Sequence, residues 1–360
     1  MNELRIGMRK GSPTAVRPRW YRRRWARWTA GALATVLVLV AVAGAWVIRQ
    51  NTYDLREERV TITGGAWPLK GVLAWPKKGK GPFGLVVFVH GDGPVDATHE
   101  TFYRPMWEAF AKAGYASLSW NKPGVGGAEG NWLDQSMDDR AAETIAAIRW
   151  AERRPGIDAR RIGLWGASQA SWVMPKVAVR LPELRFVIAV SPAINWLRQG
   201  RYNLMAELED AGASPEKVRA EVGRSDTTLR LLRSDASFEQ YKAAVGDARD
   251  MTADRWRFVT KNYTSDAERD LAAMRVPVLL VLGGHDRNVD VADTEAGYRK
   301  ALRAPGRLQT RRYPNATHSL VRKELEESQL KLTLVAIAAP RSLSAKGFLD
   351  DQRRYLSAIR

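Results

Sequence analysis

The stretch GLWGASQASW, residues 163–172, is spelled like the sharp turn between a β-strand and a helix that presents a serine at the edge of a sheet. The usual pattern is G-x-S-x-G, and here it runs from Gly166 through Ser168 to Ala170. Small residues on both sides of the serine let the two backbones approach closely, so an alanine at the last position adds a methyl group and keeps the geometry. The alternative is that Ser168 is an ordinary helix N-cap.

A nucleophilic serine needs a general base. The sequence offers four histidines: His90, His99, His285 and His318. In proteins built on this turn the chain order is serine, acid, histidine. His318 follows the strand-like segment LQTRRY and is the one histidine with the right neighbours on both sides. We therefore predict that His318 is the base.

The acid should lie between the serine and the histidine, in a loop after a late strand. The segment LGGHDRNVD places Asp286 directly after an apolar run, and Asp290 four residues later is the alternative. A tetrahedral intermediate also needs two backbone N–H groups for its oxyanion. We predict that Gln169, which follows the serine, supplies one and that Asp92, in the segment HGDG, supplies the other.

Apolar runs and helical patterns alternate along the chain. Runs typical of strands buried on both faces lie at 82–94, 115–121, 161–166, 185–193 and 276–284. Residues 57–76 predict two short strands around a Gly-Gly turn, and residues 137–154 have the apolar periodicity of a helix. This alternation predicts an α/β domain over residues 57–360, a mostly parallel sheet with helices on both faces. Residues 195–270 break the alternation, and we expect them to form a helical cap.

From about residue 57 onward the chain resembles the bacterial α/β-hydrolases grouped with serine aminopeptidases, acylaminoacyl-peptidase-like enzymes and related carboxylesterases. The segments that carry the resemblance are LVVFVHGDGP, SWNKPGVGGAEGNW, GIDARRIGLWGASQASW, VPVLLVLGGHDRNVD and THSL. The family commonly has S-Q-G-G where this chain has Ser168-Gln169-Ala170-Ser171, and Asp and Arg in place of Asn121 and Pro123. The resemblance fades over residues 195–270. It implies a serine hydrolase of carboxylic esters or of short or acylated peptides.

Thr29 to Ile48 is a run of 20 residues without charge, long enough to cross about 30 Å of hydrocarbon as a helix. Residues 1–28 carry nine basic residues against one acidic residue. An excess of arginine on this side predicts that the N-terminus is cytoplasmic and that residues 29–48 form a transmembrane signal-anchor. The small residues AVA at 41–43 leave a cleaved signal peptide as the alternative. Either way, the remainder of the chain is exported.

The composition narrows the function further. The chain has 360 residues and no cysteine, which excludes disulfides, thiolate nucleophiles and cysteine-ligated metals. Of the net charge of +18, the first 28 residues account for +8, and no nucleic-acid motif accompanies the remainder. No cofactor or metal is implied. We expect a membrane-anchored serine hydrolase acting on a small ester or short peptide. An inactive, hydrolase-like binding module of the cell envelope is the alternative of another class.

Overall fold

The computed structural model describes residues 19–248 and 251–359, with side chains from residue 27 onward. The chain divides into two compact units at residue 50. Helix α1 begins at Arg19 in the first unit and ends at Asn51, the first residue of the second unit. Its part from Arg27 to Asn51 is long and apolar enough to cross a membrane, although a signal sequence has the same length and composition. The predicted basic segment, residues 1–28, lies mostly outside the described residues.

The second unit is built on one eight-stranded sheet. Its strands are β1 (Leu55–Ile62), β2 (Leu69–Pro76), β3 (Phe83–Val89), β4 (Tyr115–Trp120), β5 (Ile157–Ala167), β6 (Val187–Val190), β7 (Val278–Gly283) and β8 (Leu308–Tyr313). The strand order is β1-β2-β4-β3-β5-β6-β7-β8. Strand β2 is antiparallel to β1 and to β4, and all the other neighbours are parallel. The predicted mostly parallel sheet is therefore confirmed.

Helices cover both faces of this sheet. The helices that follow α1 along the chain are α2 (Arg104–Lys112), α3 (Met137–Glu152), α4 (Met174–Arg180), α5 (Trp196–Asp210), α6 (Pro215–Arg233), α7 (Phe238–Val245), α8 (Ala253–Asn262), α9 (Glu268–Ala273), α10 (Val291–Ala301), α11 (Lys323–Glu326), α12 (Gln329–Ala338) and α13 (Phe348–Ala358). Alternate residues of β3 point to opposite faces, as the pleat requires. Val86 and Phe88 join the core beneath α2 and α13, whereas Leu85 and Val87 join the core beneath α3 and α4.

Helices α5–α9 interrupt the alternation between β6 and β7, where the sequence predicts a cap over residues 195–270. Polar N-caps start several of them: the side chains of Asn195, Ser214 and Thr252 each accept a backbone N–H three residues further on. The insertion also has a small core of its own, in which the rings of Tyr241 and Trp256 stack with centroids 4.4 Å apart. Local capping and this core explain why a charged segment is ordered here.

Candidate active site

Ser168 lies at the turn where β5 ends. Its φ is +54°, in the left-handed region that costs a residue other than glycine about 1–2 kcal/mol. Such strain persists where the surrounding structure holds it in place, and it is common at functional sites. The sequence predicts a helix directly after the serine, but the structure has a 3₁₀ turn at Ser168–Trp172 and an α-helix only from Met174. Pro175 explains the difference, because it lacks the N–H that a continuous helix would need at that position.

The alanine at position 170 fits this turn because of the glycine four residues earlier. A β-carbon on Gly166 would lie 2.6 Å from the Cβ of Ala170 and 2.8 Å from the Sδ of Met174. Gly166 must therefore remain glycine, whereas Ala170 is fully buried without conflict. The departure from G-x-S-x-G is absorbed by the packing of β5 against the turn.

Asp286 and His318 meet beside the sheet edge. Asp286 follows β7 and is 3% exposed. Its Oδ1 accepts the backbone N–H groups of Asn288 at 2.9 Å and Val289 at 2.8 Å. Its Oδ2 lies 2.8 Å from Nδ1 of His318, in the loop after β8. The parallel strands β7 and β8 thus bring the carboxylate and the imidazole to the same edge of the sheet.

Ser168 and His318 line one cavity of about 270 Å³. Its wall is mostly apolar and includes Val95, Phe102, Tyr103, Met106, Trp165, Val190 and Phe348. Among the residues that the structure describes, Asp92 is the one carboxylate in that wall. Phe348, from α13, was not predicted from sequence, because nothing in its local pattern links it to the serine 180 positions earlier.

The other histidines have different surroundings. His90 is buried, with Nδ1 3.0 Å from the hydroxyl of Tyr103 and Nε2 2.6 Å from the carbonyl oxygen of Trp120. A carbonyl only accepts, so Nε2 donates and Nδ1 accepts the tyrosine proton. Burial lowers the pKa of His90 to about 3. His99 lines the cavity, and burial lowers its pKa also. His285 is exposed. Neither nitrogen of His90 is left to act as a base.

The segment HGDG faces the serine. A β-carbon on Gly91 would lie 3.6 Å from the Cβ of Ser168. The carboxylate of Asp92 accepts two hydrogen bonds from Arg255, a residue of α8, at 2.9 and 2.7 Å. It also accepts one from Nε2 of Gln169 at 3.0 Å. Burial alone would raise the pKa of Asp92, but the hydrogen bonds and charge of Arg255 lower it overall.

The buried side chains of Lys122 and Arg140 donate hydrogen bonds to the segment HGDG. Lys122 donates to the carbonyl oxygens of Gly91 at 2.6 Å and Gly93 at 2.9 Å. Arg140 donates to the carbonyl of His90 at 2.5 Å and to Oε1 of Gln169 at 2.6 Å. Burial and the charge of Arg140 lower the pKa of Lys122 well below its usual range.

Neither cation was predicted from sequence. For Arg140 a signal existed, because it lies next to Ala141 and four residues before Thr144, on the buried face of α3. For Lys122 the sequence gives only a lysine in a glycine-rich loop. The oxyanion roles of the backbone N–H groups of Asp92 and Gln169 stay a prediction. In the segment HGDG, the carbonyl groups on either side of Asp92 accept hydrogen bonds from Lys122 and Arg140.

Residues 80–326 match the family described as serine aminopeptidase, S33. The chain belongs to this family of α/β-hydrolases. Solved structures share the fold. An esterase from Pyrococcus furiosus superposes with a TM-score of 0.52 at 15% identity, covering 85% of this chain and 90% of the esterase. An acylaminoacyl peptidase from Pyrococcus horikoshii gives 0.52 at 14% identity, covering 84% of this chain and 42% of the peptidase.

Sequence relatives of this hydrolase match it over shorter stretches. An uncharacterized 31.7 kDa protein of Escherichia coli, encoded in the traX-finO intergenic region, is 37% identical over 60 residues. That match covers 17% of this chain and 21% of the relative, so this hydrolase spans about a fifth of the length of that curated protein. The family match over residues 80–326 establishes the hydrolase family, and the solved structures share its fold.

Proposed function

We propose that this chain is a membrane-anchored serine hydrolase that cleaves uncharged carboxylic esters through an acyl-enzyme on Ser168. The observation that carries the proposal is the arrangement around the cavity. A serine at positive φ shares the cavity with His318, whose Nδ1 is 2.8 Å from the buried carboxylate of Asp286. Serine, imidazole and carboxylate in these relations are the parts of nucleophilic acyl transfer.

In this proposal a proton passes from Ser168 to His318, while Asp286 orients the imidazole. Asp286 accepts the Nδ1–H of His318 and leaves Nε2 as the acceptor. His318 then takes the proton from the hydroxyl of Ser168 as the oxygen attacks the ester carbonyl, and the carbonyl oxygen becomes an oxyanion. The imidazolium returns the proton to the leaving alcohol as the C–O bond breaks. Water then attacks the acyl-serine, with His318 as base again, and releases the acid.

The oxyanion would be bound by the backbone N–H groups of Gln169 and Asp92. A preorganised donor pair acts only if its peptide planes are fixed before the reaction. Support for this comes from Lys122 and Arg140, whose side chains donate to carbonyls on the same loop. The carbonyl of Gly91 and the N–H group of Asp92 belong to the same peptide plane. The hydrogen bond from Lys122 to that carbonyl therefore also restricts the direction of the N–H group. Lys122 is therefore a positioning residue in this proposal.

We expect Lys122→Met to lower kcat roughly ten- to a hundredfold with little change in KM, less than the 10²–10³-fold cost of deleting an oxyanion donor itself. The reason is that two carbonyls lose their donor and the loop relaxes. Steady-state hydrolysis of p-nitrophenyl acetate measures both constants.

Lys70→Met is the matched control, because Lys70 also donates to a glycine carbonyl, that of Gly127, at the surface. It should leave kcat unchanged. An equal loss in both variants, or a change confined to KM, would contradict the positioning role.

The cavity favours esters over substrates with a free amino terminus. A peptide ammonium needs a carboxylate partner, since an unpaired buried charge is costly. The one carboxylate of the described cavity wall, that of Asp92, already forms two hydrogen bonds with Arg255. The mostly apolar remainder of the wall suits an uncharged acyl group.

A substrate panel tests this choice on the full-length protein in detergent. We expect p-nitrophenyl esters of short uncharged acids to exceed aminoacyl p-nitroanilides by at least about a hundredfold in kcat/KM, because burying an ammonium without a partner costs several kcal/mol. Preference for the free aminoacyl anilides would make the chain an aminopeptidase. Preference for N-acetylated ones would make it an acyl-peptide hydrolase. Absence of turnover and of fluorophosphonate labelling would leave the binding module.

The anchor rests on different observations. The helix Arg27–Asn51 is long and apolar enough to span a bilayer, and basic residues crowd its N-terminal side in the sequence. That asymmetry favours a cytoplasmic N-terminus and an extracytoplasmic domain from residue 51 onward. Retention of the full-length protein in membranes washed with alkaline carbonate supports an uncleaved anchor. A mature N-terminus at Gly44 would mean a cleaved signal peptide.

A further inference from the structure

Helix α12 presents an apolar face to solvent. Leu330, Leu334 and Ile337 are 71%, 57% and 59% exposed. They are spaced four and three residues apart, so they share one side of the helix. Single exposed leucines are ordinary, whereas a contiguous stripe of large apolar side chains indicates an interaction surface.

The opposite side of α12 is packed. Leu332 and Val335 contact a small cluster formed by Val321, Leu325 and Leu343. The inner face of α12 therefore packs against the domain, and this packing fixes the direction in which the exposed apolar side chains point. Phe102, a residue of the cavity wall, contacts the same cluster.

The C-terminal end of α12 contacts residues 51–53. Nδ2 of Asn51 donates to the carbonyl of Ile337 at 2.8 Å. Just beyond the helix, Arg341 donates to the carbonyl of Thr52 at 3.0 Å and lies 4.5 Å from the ring centroid of Tyr53. Residues 51–53, at the end of the apolar helix Arg27–Asn51 and just after it, thus contact the C-terminal end of α12 and the residues that follow it.

We propose that α12 docks on the membrane surface, with Leu330, Leu334 and Ile337 inserted at the boundary between headgroups and acyl chains. The inference rests on the proposed anchor: if Arg27–Asn51 spans the bilayer, Asn51 leaves the hydrocarbon at the surface, and Ile337 lies within hydrogen-bond distance of it. Ten residues of helix extend about 15 Å, and an apolar face of this kind lies in the interfacial plane. Docking there holds the cavity beside the bilayer.

The absence of cysteine from the sequence makes this directly measurable. Leu334→Cys in the full-length protein, labelled with an environment-sensitive fluorophore, is reconstituted into phosphatidylcholine vesicles with and without doxyl-labelled lipid. We expect doxyl lipid to quench the label roughly twofold or more and aqueous iodide to quench it weakly, because the apolar face of an interfacial helix is buried about 5–10 Å into the boundary between headgroups and acyl chains. Ile337→Cys should behave in the same way.

Val179→Cys is the matched control: Val179 is 39% exposed on α4, a helix of the opposite face of the sheet. It should show the reverse preference. If the label at position 334 is as open to iodide as that at 179, docking is overturned. Shielding from both quenchers with label–label coupling would mean that a second copy covers the stripe, and would overturn it too.

Three readouts on the same samples separate the proposals. Release of the protein by alkaline carbonate removes the anchor and the docking with it. Retention with an iodide-open label at position 334 removes docking alone. Ester turnover by the labelled protein reports the hydrolase separately and shows that the variants fold.

Discussion

Ser168→Ala is expected to abolish both ester hydrolysis and labelling by a fluorophosphonate probe. Loss of the nucleophile costs about 10⁶ in kcat in the serine-protease template, and the remaining rate should approach that of the oxyanion site and binding alone. The serine is held at a φ of +54° at the cavity. Alanine has the same β-carbon and bears the same backbone strain, so the substitution removes only the attacking oxygen. Gel fluorescence after labelling and the kcat for p-nitrophenyl esters measure the two losses.

Ser171→Ala is the matched control within the same 3₁₀ turn. Its hydroxyl accepts the backbone N–H of Ala193 at 3.3 Å and is fully buried, so its loss should leave labelling intact. His318→Ala should abolish labelling as Ser168→Ala does, because the hydroxyl loses its base. Labelling that survives Ser168→Ala would move the nucleophile to another residue.

Asp286→Asn is expected to lower kcat by about 10⁴ with little change in KM, as in the serine-protease template. Oδ1 of Asp286 accepts two backbone N–H groups, so an asparagine would keep its oxygen there and turn its amide N–H toward Nδ1 of His318. The imidazole would then hold its proton on Nε2 and have no lone pair for the serine. Steady-state kinetics across the ester panel separates kcat from KM.

Asp290→Asn is the control for this prediction, because Asp290 was the alternative acid. The structure places it at the N-cap of α10, where its side chain accepts the N–H groups of Ala292 and Asp293. Asparagine caps a helix as well as aspartate does, so kcat should fall less than about tenfold. The reverse ranking would assign the acid to Asp290.

The sequence by itself determined the features that are encoded locally. Apolar runs predicted the strands, helical periodicity predicted α3, and the glycines and small residues of 163–172 predicted a strand-to-helix turn at Ser168. It also predicted Asp286 as the acid and His318 as the base, from the order serine, acid, histidine along the chain. Periodicity and turn chemistry are contained in a short window of sequence, and the order of the motifs is read directly along the chain.

Only the tertiary structure decided what surrounds those residues. Arg255 pairs with Asp92 across 163 positions, and Arg140 reaches Gln169 from a helix 29 positions away. The cavity wall combines α2 with α13, and the apolar stripe on α12 lies beside residue 51. Such contacts are set by how side chains from separate elements fill and neutralise a shared space. A charged or apolar residue has the same local sequence pattern whether it faces solvent, a partner or a bilayer.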